Sequence, residues 1–273
     1  MAIHTTYISL YTGSAMLDEG FRQGLAGLGI PEPKPVCYVE RDIEAGALLV
    51  DKILSGQLVQ APVWTDSDTF DCKPFVGKVD AIIGGFPCQP WSLAGTRKGS
   101  KDKRWLWDHI RRITEEVRPS FLFLENVPGL ISGGGLNKIL EDFITLGYDT
   151  EWISIRAAHV GAPHRRERVF ILAHASGEGL QGRELQASLR DGEGPGSHGP
   201  AAKFCLPLFA PGPGSDQWED ILQLDPSLEP AICRDAYGVA SRLERLRVCG
   251  NGVVPLQAAA AFVELSRRLN ERM

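Results

Sequence analysis

One cysteine of this chain lies in a segment whose residue types suit nucleophilic chemistry. Cys88 belongs to GGFPCQPWS (Gly84 to Ser92), directly after the apolar run VDAII. The glycines and prolines favour a tight, exposed loop, so we expect the thiol to be presented at a strand end. A thiolate is a strong nucleophile, although most single cysteines in such turns are structural. The neighbouring segments must decide whether Cys88 is a candidate for covalent catalysis.

A carboxylate follows the next apolar run along the chain. Glu125 and Asn126 end the apolar part of FLFLENVPGL. Burial disfavours the charged form of a carboxyl group, so we expect a raised pKa that keeps Glu125 able to donate a proton. An ordinary strand-end carboxylate is the commoner role of a single glutamate. Together with Cys88, however, it gives one crevice a nucleophile and an acid.

Two arginines lie two positions apart at the start of another predicted strand, in APHRRERVFILA. Because side chains alternate along a strand, Arg166 and Arg168 should project from the same side. They could bind a base oxygen, a carboxylate or a phosphate. Surface salt bridging is the alternative for this motif on its own.

The elements that position these residues alternate between strand and helix. Predicted strands are TYISLY, PVCYVE, VDAIIGG, SFLFLENV, YDTEWISIRAA and ERVFILAHA, and predicted helices cover residues 15–28, 43–54, 105–117 and 136–146. Ser14 is a candidate N-cap, with Met16, Leu17, Phe21 and Leu25 on one face of the first helix. The alternation predicts an α/β fold with a doubly wound, mostly parallel, Rossmann-like sheet. Such sheets bind ligands beyond the carboxyl ends of their strands, where the unusual residues of this chain occur.

The second half of the chain changes character. Residues 176 to about 215 are dense in Gly, Pro and Ser without a regular period, which predicts a small irregular lobe. Order returns with a final helix opened by Pro255, which should dock on the first domain. Its candidate packing residues are Leu256, Ala259, Phe262, Val263 and Leu269. We therefore expect a catalytic domain from residues 1–173 plus 249–273, and a second region over 174–248.

Four short motifs occur in the order known from one enzyme family. They are Pro87-Cys88-Gln89-Pro90-Trp91-Ser92, Glu125-Asn126-Val127, His164-Arg165-Arg166-Glu167-Arg168 and Gly250-Asn251-Gly252-Val253-Val254-Pro255. They resemble the PCQ-x-(F/W)-S, ENV, Q-x-R-x-R and GN-x-V-x-P motifs of the C5-cytosine DNA methyltransferases of bacteria and phages. The resemblance covers most of residues 7–173 and 240–270. Each motif is weak alone, but four in the same order make coincidence very improbable.

The resemblance implies a methyl transfer from S-adenosylmethionine to C5 of a flipped-out cytosine, with S-adenosylhomocysteine as the second product. Cys88 is the implied nucleophile on C6. Glu125 is implied to bind the N3/N4 edge, Arg168 and Arg166 to stabilise O2 and brace Glu125, and Asn126 to orient the loop or the base. His164 replaces the usual glutamine but keeps one donor and one acceptor.

The family also implies a set of cofactor-binding residues. They are Tyr11, Gly13, Ser14, Glu40, Asp66, Pro87, Asn251 and Val253, with Asp68 as an alternative to Asp66. Glu40 is expected to accept hydrogen bonds from the ribose hydroxyls, and Asp66 one from the adenine amino group. The first turn departs from the family pattern D-L-F-x-G-x-G-G, because Ser9, Ala15 and Met16 replace its aspartate and two of its glycines.

Bulk composition sets the wider limits. The 273 residues carry a formal net charge of −5, so phosphate binding must rest on local basic clusters such as residues 97–104, 165–168 and 242–247. The six cysteines are scattered without a CxxC pair, which favours free thiols over a zinc site or disulfides, and no metal site is predicted. The sequence has no run near the roughly 20 apolar residues of a membrane span and no recognisable signal peptide, so we expect a cytoplasmic protein.

Several alternatives remain open from the sequence. An RNA methyltransferase would use the same chemistry on tRNA, but the chain has no Cys-Phe-Thr segment of that subgroup. A non-catalytic DNA-binding relative would account for the altered first turn, and a dehydrogenase is disfavoured because no GxGxxG follows the first strand. Double-stranded DNA is the expected partner of a monomer, and a cognate restriction endonuclease is a possible companion. Candidate DNA contacts in the 174–248 region are Arg183, Arg190, Lys203 and Arg234.

Overall fold

The computed structural model describes residues 5–87, 105–176 and 252–272, together with the helical positions 219 and 223. Within these ranges the strands are β1 (Thr6–Leu10), β2 (Lys34–Val39), β3 (Val63–Trp64), β4 (Ala81–Gly85), β5 (Phe121–Asn126), β6 (Tyr148–Arg156) and β7 (Glu167–Ala175). The α-helices are α1 (Met16–Gly27), α2 (Ile43–Leu54), α3 (Trp107–Val117), α4 (Gly129–Ser132), α5 (Gly135–Leu146) and α6 (Pro255–Arg272). The six predicted strands are present, whereas the two-residue β3 was not predicted.

The seven described strands form one sheet in the order β3-β2-β1-β4-β5-β7-β6. Strands β1 to β5 pair in parallel, whereas β7 is antiparallel to both β5 and β6. All six residues of β5 are buried. A strand covered on both faces reads as a continuous apolar run, which is why FLFLEN shows no alternation. The prediction of a mostly parallel α/β sheet is confirmed.

Helices cover both faces of this sheet, because successive strand residues enter different cores. Ile82 packs in the core that includes Trp107 of α3 and Phe143 of α5. Ile83 packs in the other core, where the rings of Phe21 in α1 and Phe262 in α6 meet edge to face at 5.2 Å. None of the helices in the described ranges is long and apolar enough to cross a membrane.

The turn between β1 and α1 corrects one prediction. Ser14 does not cap α1: the N-cap position is Ala15, and no side chain caps the helix. Ala15 has a left-handed φ of 61° and donates its N–H to the carbonyl of Thr12 at 2.9 Å. This turn inserts one residue between Ser14 and the helix, so the Ser14 hydroxyl lies too early to reach the free N–H groups.

Helix α6 begins at Pro255 as predicted but buries a different face. Phe262 and Leu269 are buried, whereas the predicted Leu256, Ala259 and Val263 are only partly buried. The buried residues are Gln257, Ala258, Ala261, Phe262, Leu265, Ser266 and Leu269. The rotation has a polar cause, because the Gln257 amide donates to the carbonyls of Ile155 at 2.7 Å and Arg166 at 2.9 Å. The helix contacts α1, β6 and β7, which confirms that it docks on the first domain.

Candidate active site

The carboxyl ends of β1, β2, β4 and β5 lie along one edge of the sheet. The strand order reverses between the neighbouring strands β1 and β4: β2 and β3 follow on one side of β1, and β5 follows on the other side of β4. The crevice at such a reversal is the usual ligand site of doubly wound sheets. Tyr11 follows β1 and Phe86 follows β4 at this point. The fold thereby brings the predicted strand-end residues to one crevice.

An ion pair between a buried carboxylate and a partly buried arginine lies at the end of β5. Glu125 is 9% exposed, and its Oε1 is 2.8 Å from Nε of Arg168 on the neighbouring β7. Burial raises the pKa of Glu125 to about 7, while the charges of Arg168 and Arg166 act in the opposite direction. A carboxyl group with this pKa can hold and release a proton near neutral pH. The raised pKa and the bracing arginine agree with the expectations from the sequence.

Arg166 lies beside the same carboxylate and contacts a different segment. Its guanidinium donates to the carbonyl of Gly252, shortly before α6. Burial and the nearby charge of Arg168 lower the pKa of Arg166. Arg166 precedes β7 and Arg168 is the second residue of that strand, so their alternation places both charges near Glu125.

Asn126 fixes the chain just before the predicted nucleophile. Its Nδ2 donates to the carbonyl of Phe86 at 3.0 Å, and its Oδ1 accepts the N–H of Val127 at 2.8 Å. Pro87 is exposed and is the last described residue here, so Cys88 lies outside the described residues. The contact to Phe86, two positions before the cysteine, is of the loop-orienting kind that the sequence predicts for Asn126.

The carboxylate of Glu40 links the ends of β1 and β2. Its Oε2 accepts the N–H of Gly13 at 2.7 Å, and its Oε1 accepts the N–H of Asp42 at 2.7 Å. Each carboxylate oxygen retains capacity for a further hydrogen bond. Gly13 has a φ of +58°, and a Cβ there would meet no atom nearer than the Tyr11 carbonyl at 4.0 Å. The turn therefore leaves open space beside Glu40.

The two candidate aspartates after β3 differ in their surroundings. Asp66 is partly buried, and its Oδ1 accepts the N–H of Asp68 at 3.0 Å. Asp68 is exposed and lies 3.7 Å from Nδ1 of His109. The more enclosed Asp66 remains the preferred candidate. Ser14, another cofactor candidate, is buried in the turn between β1 and α1, where its carbonyl accepts a hydrogen bond from Lys52.

Comparison with known proteins assigns the family. Residues 7–195 match the family model described as C-5 cytosine-specific DNA methylase, and this stretch is more than half of the 273 residues. The chain belongs to this methylase family.

Two of its curated relatives are Type II methyltransferases. M.CviJI of Paramecium bursaria Chlorella virus IL3A is 34% identical over 167 residues, which are 61% of this chain and 42% of that protein. M.NgoBV of Neisseria gonorrhoeae is 31% identical over 176 residues, which are 60% of this chain and 40% of that protein. This methylase-family chain thus spans about two fifths of the length of these relatives.

Solved structures agree on the fold. The Entamoeba histolytica methyltransferase EhMeth is 17% identical, with a TM-score of 0.52 over 64% of this chain and 54% of the other. The S. pombe Dnmt2 methyltransferase is 20% identical, with a TM-score of 0.50 over 64% of this chain and 52% of the other. At this level of identity the likeness supports the methyltransferase fold alone.

The methylase pattern has an aspartate at the position of Ser9, and the structure shows what stands beside the serine. Ser9 Oγ is hydrogen-bonded to Oδ2 of Asp18 in α1 at 3.1 Å. Asp18 is 4% exposed, and burial raises its pKa to about 6. This carboxylate was not predicted from the sequence. Its signal was an acidic residue at an inward position of α1, between the buried Leu17 and Phe21.

Gly85 is a second residue that the sequence analysis assigned only to loop geometry. It pairs directly with Glu125 across β4 and β5. A Cβ at Gly85 would lie 2.9 Å from Oε2 of Glu125, so the glycine leaves room for the carboxylate. This relation depends on the pairing of the two strands, which a single-strand pattern does not contain.

The last methylase motif is described only in part. Asn251 lies outside the described residues. Val253 is buried in the core that α1 and α6 share, and His164 is exposed. The roles expected for Asn251 and Val253 in cofactor binding therefore stay predictions.

Proposed function

We propose that this chain transfers a methyl group from S-adenosylmethionine to C5 of a cytosine in duplex DNA. The observation that carries the proposal is the ion pair of the buried Glu125 with the partly buried Arg168, beside the strand that leads into Cys88. A carboxyl group whose pKa is about 7 can offer a proton to a ring nitrogen, and the adjacent guanidinium can stabilise a ring oxygen. Membership in the methylase family supports the same reaction.

In the proposed mechanism, Cys88 activates the base by covalent addition. C5 of cytosine is a poor nucleophile, so the Cys88 thiolate forms a bond to C6. The electron pair of the C5–C6 double bond moves through C4 to N3, where Glu125 delivers a proton, and C5 becomes the nucleophilic carbon of an enamine. Bound S-adenosylmethionine supplies the electrophilic methyl group. Removal of the C5 proton by a base restores the double bond, expels the Cys88 thiolate and returns the N3 proton to Glu125.

The arginines support the acid and the ring. Arg168 holds the Glu125 carboxylate at 2.8 Å, which fixes the direction of its second oxygen. Together with Arg166 it provides positive charge for O2 of the base as electron density rises in the ring. Asn126 keeps the end of β4, and so the start of the Cys88 segment, in register with Glu125.

The hydrogen-bond acceptors on the other side of the crevice fit S-adenosylmethionine. Glu40 has free acceptor capacity at the open turn of Gly13, which suits vicinal ribose hydroxyls. Asp66 suits the amino group of adenine, and Tyr11, Ser14, Pro87, Asn251 and Val253 complete the proposed set. The turn keeps its left-handed shape although alanine replaces a family glycine, since Ala15 has a φ of 61°.

The target base must leave the helix for this reaction. Cys88 cannot reach C6 within a stacked duplex, so we propose base flipping, at a cost of a few kcal/mol. The basic residues between 97 and 104 and the recognition region 174–248 are proposed to contact DNA, and they lie largely outside the described residues. A tRNA substrate and a binding-only role are the alternatives that the experiment must separate.

The test is methyl transfer from tritiated S-adenosylmethionine by the purified chain. Mixed-sequence duplex DNA and tRNA are offered in parallel, and methylated cytosines are located by bisulfite sequencing. We expect label on duplex DNA that is lost in Cys88→Ala. Cys37→Ala is the matched control, because Cys37 is a free, buried thiol inside β2 and is not part of the segment after β4 that carries Cys88.

Three outcomes contradict the proposal in different ways. Label on tRNA alone would show that the substrate is RNA and not duplex DNA. Transfer that persists in Cys88→Ala would show that another residue is the nucleophile. A folded protein that transfers no label to either nucleic acid would leave a binding-only relative of the methylases.

A further inference from the structure

Arg112, in the middle of α3, is bonded to the loop that follows β3. Its Nη2 donates to the carbonyl of Ser67 at 2.9 Å and to that of Asp68 at 3.4 Å. Both Nη1 and Nη2 lie 3.4 Å from the carbonyl of Phe70. One guanidinium thus binds three backbone carbonyls of residues 66–72, here named the Asp66 loop.

The hydroxyl of Tyr11 ties the same loop to the turn after β1. It shares a hydrogen bond of 3.0 Å with the hydroxyl of Ser67 and lies 3.2 Å from the carbonyl of Leu106, the N-cap residue of α3. The family pattern has phenylalanine at the position of Tyr11. This chain therefore has a hydroxyl that the family pattern lacks, and the hydroxyl is hydrogen-bonded to Ser67 and to Leu106.

Apolar packing anchors only the far end of the Asp66 loop. Phe70 is buried and stacks on Phe75 with ring centroids 5.4 Å apart. Asp68 and Thr69 are exposed. The end of the loop that carries Asp66 therefore depends on polar contacts to α3 and to the β1 turn.

We propose that Arg112 and the Tyr11 hydroxyl are positioning residues that hold the Asp66 loop in the shape that receives the adenine of S-adenosylmethionine. This inference rests on the cofactor of the proposed function. Asp66 directly precedes Ser67, the residue bound by both Arg112 and Tyr11, so a shift of Ser67 displaces the Asp66 carboxylate. A planar guanidinium can bind several carbonyls at once, whereas a lysine ammonium lacks this fork.

The test measures S-adenosylhomocysteine binding by calorimetry and amide exchange of residues 66–72 in the full chain. Arg112→Met removes the donors but keeps most of the aliphatic stem, and we expect about tenfold weaker binding and faster exchange. Arg112→Lys should lose nearly as much, and Tyr11→Phe about threefold. Arg111→Met is the matched control, because Arg111 is the next residue of α3 and its ion pairs are with Glu115 and Asp142. The control should bind like the wild type.

Unchanged affinity and exchange in folded Arg112→Met and Tyr11→Phe would overturn the inference. If Arg112→Met does not fold, Tyr11→Phe decides the question through the amide exchange of residues 66–72. Tyr11 also belongs to the proposed cofactor set, so weaker binding counts for the inference only together with faster exchange of this loop. A wild-type protein without affinity for S-adenosylhomocysteine would overturn the proposed function, and this inference with it. That result differs from a loss of affinity confined to the variants.

Discussion

The two sides of the crevice keep the family pattern to different degrees. On the base side, at the ends of β4 and β5, the Glu125, Asn126 and Arg168 positions carry the family's residues and are joined by short contacts. On the cofactor side, at the end of β1, Ser9 and Ala15 replace family residues, yet the turn has left-handed residues, and Ser9 is hydrogen-bonded to Asp18. Proton transfer requires particular functional groups, whereas a binding turn can reach one backbone shape with different side chains.

The buried carboxyl groups of the two sides also differ in their partners. Glu125 has a guanidinium at 2.8 Å, and its pKa is still raised to about 7. Asp18 is hydrogen-bonded to the neutral hydroxyl of Ser9, and its pKa is raised to about 6. Burial dominates in both cases. Glu125 forms an ion pair with Arg168, whereas Asp18 has hydroxyl partners in Ser9 and Tyr7 and a smaller influence from the charge of Lys52. The following predictions test this contrast, from the largest expected effect to the smallest.

Glu125→Gln should damage the chemistry far more than cofactor binding. Glutamine retains the size of the side chain but cannot supply a proton to N3, so we expect the single-turnover methyl-transfer rate to fall by about a hundredfold or more. Affinity for S-adenosylhomocysteine should stay within about twofold, since general acid catalysis acts on the chemical step. Quenched-flow transfer and calorimetry measure the two quantities.

The pH profile provides a control for that variant. Because the acid must be protonated, the wild-type rate should fall as pH rises through about 7, the pKa of Glu125. The glutamine variant should lack this descending limb. If Glu125→Gln had the wild-type rate and pH profile, Glu125 would not be the general acid.

Asp18→Asn should stabilise the protein at high pH. The pKa of folded Asp18 lies above the ordinary value, so its contribution to stability is complete below about pH 4 and is lost as pH rises through about 6. The cost of ionising the buried carboxyl is up to ~3 kcal/mol. Asparagine cannot ionise, so its advantage in the free energy of unfolding should appear at pH 8 and vanish near pH 4. If urea titrations showed the same pH dependence of stability for both proteins, the raised pKa of Asp18 would be refuted.

Gly20→Ala should destabilise the helix that follows the cofactor turn. A Cβ at Gly20 would lie 2.6 Å from the carbonyl oxygen of Pro255, so α1 and α6 must separate. Overpacking of this kind costs about 2 kcal/mol in the free energy of unfolding. Gly46→Ala in α2 is the matched control, because a Cβ at Gly46 meets no atom within 4 Å. The control should gain about 0.5–1 kcal/mol, and similar effects in both variants would contradict the close approach.

Gly85→Ala should produce the smallest effect, confined to activity. The added Cβ would displace the Glu125 carboxylate by a few tenths of an ångström, because the two atoms would otherwise be 2.9 Å apart. We expect about a tenfold lower transfer rate, as misplaced catalytic groups lose rate steeply. The melting temperature should change little, since the end of a side chain can yield. An unaltered rate would show that Gly85 does not position the acid.

Residue patterns were sufficient for most of the sheet and for the base side. Apolar runs bounded by glycines and prolines defined six strands, and the position of Glu125 at the end of such a run predicted its burial and raised pKa. The antiparallel placement of β7 beside β5 brings Arg168 onto Glu125. The family resemblance implied that Arg168 braces Glu125, but the strand pairing that brings them together was not predicted, because the local pattern of either strand does not specify its neighbour.

The features missed by the sequence analysis depend on contacts between distant segments. Ser14 failed as a cap because Ala15 adopts a left-handed conformation, which propensity disfavours for alanine. The buried face of α6 is rotated by hydrogen bonds of Gln257 to carbonyls more than 90 residues away. The three carbonyls bound by Arg112 likewise become visible only in the fold.

The central claim, covalent attack by Cys88 on cytosine, is tested most directly by trapping. A mixed-sequence duplex containing 5-fluorocytosine is incubated with the protein and S-adenosylmethionine, because a fluorine at C5 cannot leave as a proton does and elimination of the thiolate is blocked. We predict a protein–DNA adduct that resists denaturant and has the mass of one protein bound to one DNA molecule. It should form only with the cofactor present, and peptide analysis should map it to Cys88. The absence of any adduct from a folded protein that binds both DNA and cofactor, or an adduct on another residue, would contradict the account.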